Sequence, residues 1–90
     1  MNTFHLSVIT PAGTAYEGGI VSLVAPADKG YLGVLRNHAP MLTLLQPGKL
    51  SIRETAGQEI VFDIGAGYLQ VENNRVTVLT ERVDKEGRTE

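Results

Sequence analysis

The chain has no cysteine, no tryptophan, only two histidines, and no uninterrupted apolar run longer than a few residues. Without cysteine there is neither a disulfide framework nor a thiolate metal site, and nothing argues for an oxidising compartment. A zinc site would have to complete its ligand set with carboxylates, and no spacing around His5 or His38 suggests one. The short apolar runs fall far below the roughly 20 residues that span a bilayer as a helix. No basic-then-apolar leader opens the sequence either, so a membrane is expected to be reached only through another protein. Lys plus Arg number 8 against 10 Asp plus Glu, a balance that offers no general attraction to phosphate backbones. Nucleic acid is therefore not an expected partner.

Catalytic constellations are missing in the same way. The three serines, Ser7, Ser22 and Ser51, all fall in predicted strands, and none stands in a Gly-x-Ser-x-Gly turn beside a histidine. No pair of carboxylates can be placed across a cleft. No catalytic residue, cofactor or metal is expected, and an esterase-like reading lacks its nucleophile. Five aromatic residues without tryptophan make a poor platform for stacking sugars, which weighs against a free-standing β-sandwich ligand-binding module, the main alternative class.

What is present is β patterning. Ten Gly and four Pro divide the chain into segments too short for ordinary helices and long enough for strands. Phe4, Leu6 and Val8 alternate with His5 and Ser7, giving a first strand with one apolar and one polar face. The segment 14–25 changes phase around Gly18-Gly19, as expected of a bend that shares one strand between two sheets. Residues 26–30 read as a turn, and Pro47-Gly48 as a type II turn with Gly at the positive-φ position. Leu50 and Ile52 should pair with Ile60, Phe62 and Ile64 as a hairpin. Asn73-Asn74 suits the two left-handed positions of a tight turn between Leu69-Val71 and Val76-Thr80. Leu79 is out of phase with Val76 and Val78, so its strand either is covered on both faces or shows one Leu to a partner. The expected fold is an all-β sandwich or small barrel of about eight to ten short, mostly antiparallel strands over residues 1–83, with 84–90 a charged and flexible tail.

The most particular stretch is Gly30 to Leu45. Val34 and Leu35 close a first apolar arm, Leu42, Leu44 and Leu45 fill a second, and Arg36-Asn37-His38 projects between them, with Pro40 limiting the exit of the loop. A polar tip on an apolar base suits a protein–protein contact.

This stretch also carries a resemblance. Leu32-Gly33-Val34 and His38-Ala39-Pro40-Met41-Leu42-Thr43, followed by Pro47-Gly48-Lys49-Leu50-Ser51-Ile52, resemble the signature of the epsilon subunit of F-type rotary ATP synthases. Phe4 to Pro11, Tyr16-Glu17-Gly18, Gly67 to Val71 and Val76 to Leu79 resemble the strands that flank it, so the likeness covers about residues 3–83. The resemblance implies an N-terminal β-sandwich domain without chemistry of its own. It implies a rotor part that grips the gamma subunit of the central stalk, rests on the ring of c subunits, and couples ion translocation to ATP synthesis. Self-association is not expected. Residues implied for the c ring are Tyr31, Leu32, Arg36 and Asn37, and for gamma Thr10, His38, Ala39, Met41 and Leu42. The implied location is the cytoplasmic face of a bacterial inner membrane, peripheral, or less readily a plastid thylakoid.

Three departures qualify the carry-over. Many relatives have Glu where this chain has Tyr31, so an aromatic face over a cation would replace part of a salt bridge, at about 0.5–2 kcal/mol. Relatives often have Pro-Gly where this chain has Arg36-Asn37. Asn tolerates the left-handed region best after Gly, which would keep the turn and add a positive charge to it. Most bacterial members continue into two C-terminal helices that form an inhibitory arm, and its roles are not expected of a sequence ending at Glu90.

Overall fold

The computed structural model describes residues 2–85, and among them there are nine strands and no helix. In chain order they are β1 (Phe4–Thr10), β2 (Gly13–Ala27), β3 (Gly30–Val34), β4 (Met41–Leu45), β5 (Gly48–Glu54), β6 (Glu59–Ile64), β7 (Gly67–Glu72), β8 (Arg75–Thr80) and β9 (Val83–Lys85). The boundary expected at residue 83 falls inside β9, where Asp84 pairs with Asp63 and Lys85 with Phe62. The rest of the expected tail, 86–90, lies outside the described residues.

The strands form the two layers of a β-sandwich. One layer runs β4-β7-β8-β1 and ends on the first half of β2; the other runs β3, the second half of β2, β5, β6 and β9. All pairings are antiparallel except that of β1 with β8. The sharing of β2 was legible in the sequence, but the irregularities do not fall on Gly18-Gly19, which pair regularly with Leu6 and His5. They flank it: the register shifts opposite Val8 and Ile9, and again between Ile20 and Ser22. The second shift turns the inward face from Ile20 to Leu23, and both residues are buried. Alternation supplies the core. Leu6, Val8, Leu69, Val76 and Val78 from one layer meet Leu23, Leu50, Ile52 and Ile64 from the other, all essentially without solvent exposure.

Two expected turns are built differently. Pro26 and Ala27 are buried and belong to β2, so the β2–β3 turn is only Asp28-Lys29, entered into β3 through Gly30 at φ 120°. Gly48 does not take a positive φ and opens β5 instead. Its lack of a side chain serves close packing: a Cβ there would stand 2.8 Å from the Cβ of Pro26. The Asn73-Asn74 expectation holds, with both residues left-handed at φ 52° and 61° between the paired Glu72 and Arg75.

Two polar contacts tie the layers together. Thr80, a buried hydroxyl, donates to the carbonyl of Gly65 at 2.9 Å and lies within reach of those of Ala66 and Arg82. Tyr16 of β2 donates its hydroxyl to Glu54 of β5 at 2.6 Å and sets its ring edge-on to Phe62 of β6. Burial, followed by the hydrogen bond to Glu54 and its charge, holds the Tyr16 phenol above its ordinary value of 10.0. A raised folded-state pKa favours the neutral phenol in the native state. Its contribution is therefore complete below pH 10 and is lost as pH climbs from there through the folded value. Tyr16→Phe is expected to lower stability at pH 7 by about 1–2 kcal/mol, the loss of a hydrogen bond to a carboxylate. Urea melts at pH 8, 10 and 11 should show the gap from wild type closing above pH 10. A gap that widens with pH would refute the assignment.

Candidate protein-interaction surface

Pairing in register fixes which side chains share the outer face of the first layer. Leu44 lies opposite Tyr68, Tyr68 opposite Leu79, and Leu79 opposite Ile9. One apolar row therefore crosses β4, β7, β8 and β1, spanning about 14 Å at the usual strand spacing. Leu44, Tyr68 and Leu79 keep 51, 51 and 48 % of their surface exposed, and Leu42 on the same face of β4 keeps 68 %. The next row is Leu42, Gln70, Thr77, Ser7 and Glu17. Beyond it lies a charged row of Glu72, Arg75 and His5, with the His5 imidazole 3.1 Å from Glu17. The face is thus graded from apolar at the β8–β9 end to charged at the Asn73-Asn74 end. His5 stands on the polar face expected of it, though β1 is an interior strand between β2 and β8.

The stretch Gly30 to Leu45 divides into β3, a connection and β4. Val34 and Leu45 are its buried anchors, with Leu32 and Met41 packed partly against the core. Leu42 and Leu44, expected to fasten the loop, point outward because alternation on β4 leaves them on the solvent side, and Leu35, expected to do the same, follows the end of β3 and is exposed in the connection. The tip is a four-residue turn: the His38 N–H donates to the Leu35 carbonyl at 3.2 Å, and Asn37 sits in the left-handed region at φ 65°. Arg36 donates to the Asn2 side chain at 2.9 Å, and the His38 Nδ1 lies 2.7 Å from the Ala39 carbonyl.

The residues implied for the c ring do not gather in one patch. Tyr31 stands at the Asp28-Lys29 end of β3, opposite Pro26, with 62 % of its surface exposed. Arg36 and Asn37 follow the other end of that strand, and Leu32 faces inward between them. Tyr31 instead shares the outer face of the second layer with Val24, which is exposed and paired with Gly33. The residues implied for gamma divide likewise. Leu42 lies on the outer face of the first layer, His38 and Ala39 lie in the connection before β4, and Met41 alternates inward. Thr10 ends β1, where its hydroxyl accepts from the Ala12 N–H and donates to the Gly13 carbonyl. Sequence reasoning had singled out Leu79, but not the row it completes with Leu44, Tyr68 and Ile9. Only strand register assembles that row.

An open cleft beside Thr10 is lined by 10–15 and 81–83 and includes no aromatic side chain, so it lacks the lining that a stacked ligand needs.

Residues 3–86 match the family model described as ATP synthase, Delta/Epsilon chain, beta-sandwich domain. The chain belongs to this family. Among curated relatives named ATP synthase epsilon chain, that of Alkalilimnicola ehrlichii is 35% identical over 81 residues, covering 90% of this chain and 58% of the relative. That of an Exiguobacterium species is 37% identical over 84 residues, covering 93% and 62%. That of a Nitratiruptor species is 37% identical, covering 100% and 70%. The chain therefore spans about 60% of the length of the first two ATP synthase epsilon chains. The fold matches a chain in a structure of the Euglena gracilis mitochondrial ATP synthase (OSCP/F1/c-ring) with a TM-score of 0.89 at 18% identity, covering 94% of this chain and 54% of that one. It matches a chain in the central stalk/c-ring structure of the Tetrahymena thermophila mitochondrial ATP synthase with a TM-score of 0.75 at 20% identity, covering 88% and 63%.

Proposed function

We propose that this β-sandwich is a non-catalytic subunit of the central stalk of an F-type ATP synthase. It docks on the gamma subunit through the outer face of its first layer, meets the c ring through the Tyr31 side of its second, and so couples ion translocation to ATP synthesis. The observation that carries the docking role is the apolar row of Leu44, Tyr68, Leu79 and Ile9 on an outer face that would otherwise be solvated. Apolar side chains gathered across four strands, rimmed by polar residues, have the composition of an interface core within its rim. Leu42, implied for gamma by resemblance, extends that surface, with Thr10 at one end and His38 and Ala39 at the other. A second exposed surface, with Tyr31 and Val24, lies on the opposite outer face, and two apolar surfaces back to back suit a part held between two partners. The names of the relatives place them in ATP synthase, which supports the same assignment. Membrane association then comes through the complex alone, at the cytoplasmic face in a bacterial setting.

Calorimetric titration of the domain with the gamma subunit of the same synthase tests the reading. Saturable one-to-one binding is expected, weakened at least about ten-fold by Leu42→Asp, as for loss of an interface anchor. Leu42 suits this test better than its neighbour Met41, whose replacement by Asp would place a charge against the core. Absence of binding by the wild-type domain would overturn the assignment to gamma.

A further inference from the structure

We infer that Asn74 is a positioning residue that holds the Arg36-Asn37-His38 tip, and through it the His38 and Ala39 end of the gamma surface, in its docking shape, an inference that rests on the docking reading above. The side chain reaches across the end of the sandwich to two other segments. Its Oδ1 accepts the Asn37 N–H at 2.7 Å, and its Nδ2 donates to the Thr3 carbonyl at 3.1 Å. Its own carbonyl accepts the His5 N–H at 3.2 Å. One residue of the β7–β8 turn thereby ties the loop tip to the start of β1, and Arg36 adds a second link from the tip to Asn2.

Turn chemistry alone does not call for this residue. Asn74 occupies the second left-handed position of the hairpin, at φ 61°, where Gly after Asn is the favoured choice. The chain keeps a side chain where the turn would be better served without one, and both polar atoms of that side chain are used on other segments. The consequence is preorganisation. The Asn37 amide, which the turn itself leaves without an acceptor, is fixed before a partner arrives, so the tip loses less conformational freedom on docking.

Asn74→Gly separates the two roles, because it preserves or improves the hairpin turn while releasing the tip. Two measurements are made on the full chain. Hydrogen exchange reads the Asn37 amide with no partner present, and titration with the gamma subunit reads docking. In Asn74→Gly the Asn37 amide is expected to exchange roughly ten-fold faster and gamma affinity to fall about three- to ten-fold, the range for one net hydrogen bond. Asn74→Asp keeps the acceptor for Asn37 but exchanges the Nδ2 donor for an oxygen facing the Thr3 carbonyl, so both readouts are expected to lie nearer wild type than in Asn74→Gly, which a role resting on the Nδ2–Thr3 bond alone would not produce. Unchanged exchange at Asn37 in Asn74→Gly overturns the inference, as does faster exchange with unchanged affinity. Failure of wild type to bind gamma is a different result, visible before any variant is made, and it removes the docking reading together with the inference's second half.

Discussion

Gly67→Ala is expected to cost about 3 kcal/mol or more, at or beyond the upper end of what overpacking of a core brings. For a domain of this size that is a fall of about 12–24 °C in melting temperature. Gly67 begins β7 and pairs with Thr80 on one side and Leu45 on the other. A Cβ built on it would run into the backbone carbonyl of Leu79 and close on the Cα of Thr80. Neither obstacle is the far end of a flexible side chain, so relief requires β7 and β8 to move apart. That movement would also disturb the Thr80 hydroxyl, which satisfies the bend at Gly65-Ala66. Gly33→Ala is the matched control. Gly33 lies in β3 on an exposed surface, a Cβ there meets nothing, and its φ is not in the left-handed region. With no strain to offset the reduced freedom of the unfolded chain, it should be neutral or stabilising by about 0.5 kcal/mol. Thermal melts of the three proteins decide the matter. A Gly67→Ala protein melting within a few degrees of wild type would mean that the close approach of the two strands is not a constraint.

These glycines show where sequence reading stops. Alternation in Phe4 to Val8, Leu50 to Ile52 and Ile60 to Ile64 reports burial directly, because the period of a strand is written in the residues themselves. Asn73-Asn74 is equally legible, since few residue types accept two consecutive left-handed positions. Gly48 reads as a turn residue because glycine in a chain usually marks conformational freedom, and nothing near Gly67 in the sequence announces a close approach. Both are glycine because something distant, Pro26 in one case and the Leu79 carbonyl in the other, occupies the space of a side chain. Proximity of that kind depends on tertiary packing, to which local sequence is blind. The candidate surface divides in the same way. Leu79 betrayed itself by breaking phase, but Leu44 looked like an anchor of its loop. Tyr68 looked like any strand aromatic, and Asn74 like a turn residue and nothing more. Leu44 and Tyr68 acquire their roles only when the pairings of β4 with β7, β7 with β8 and β8 with β1 set them beside Leu79 and Ile9, and Asn74 only when the fold brings Asn37 and Thr3 within reach of its side chain.

Leu79→Glu is expected to weaken binding to the gamma subunit by about 100-fold or more while leaving the fold intact. Leu79 lies on β8, one of the two middle strands of the apolar row, with Tyr68 of β7 on one side and Ile9 of β1 on the other. Docking that covers the row would bury it deepest, where interface energy concentrates. A carboxylate placed there must give up its water with no cation beside it in the row, at a cost of several kcal/mol. In the free domain the same side chain is about half exposed and points away from the core, so the change in folding stability should stay within about 1 kcal/mol. Val24→Glu makes the same chemical change on the opposite outer face and is expected to leave gamma binding at the wild-type level. The pair of variants separates an oriented dock from general stickiness. If both lost gamma binding equally, the row would have no special claim to the partner. If Leu79→Glu bound normally with its melting temperature unchanged, the outer face of the first layer would not be the docking surface.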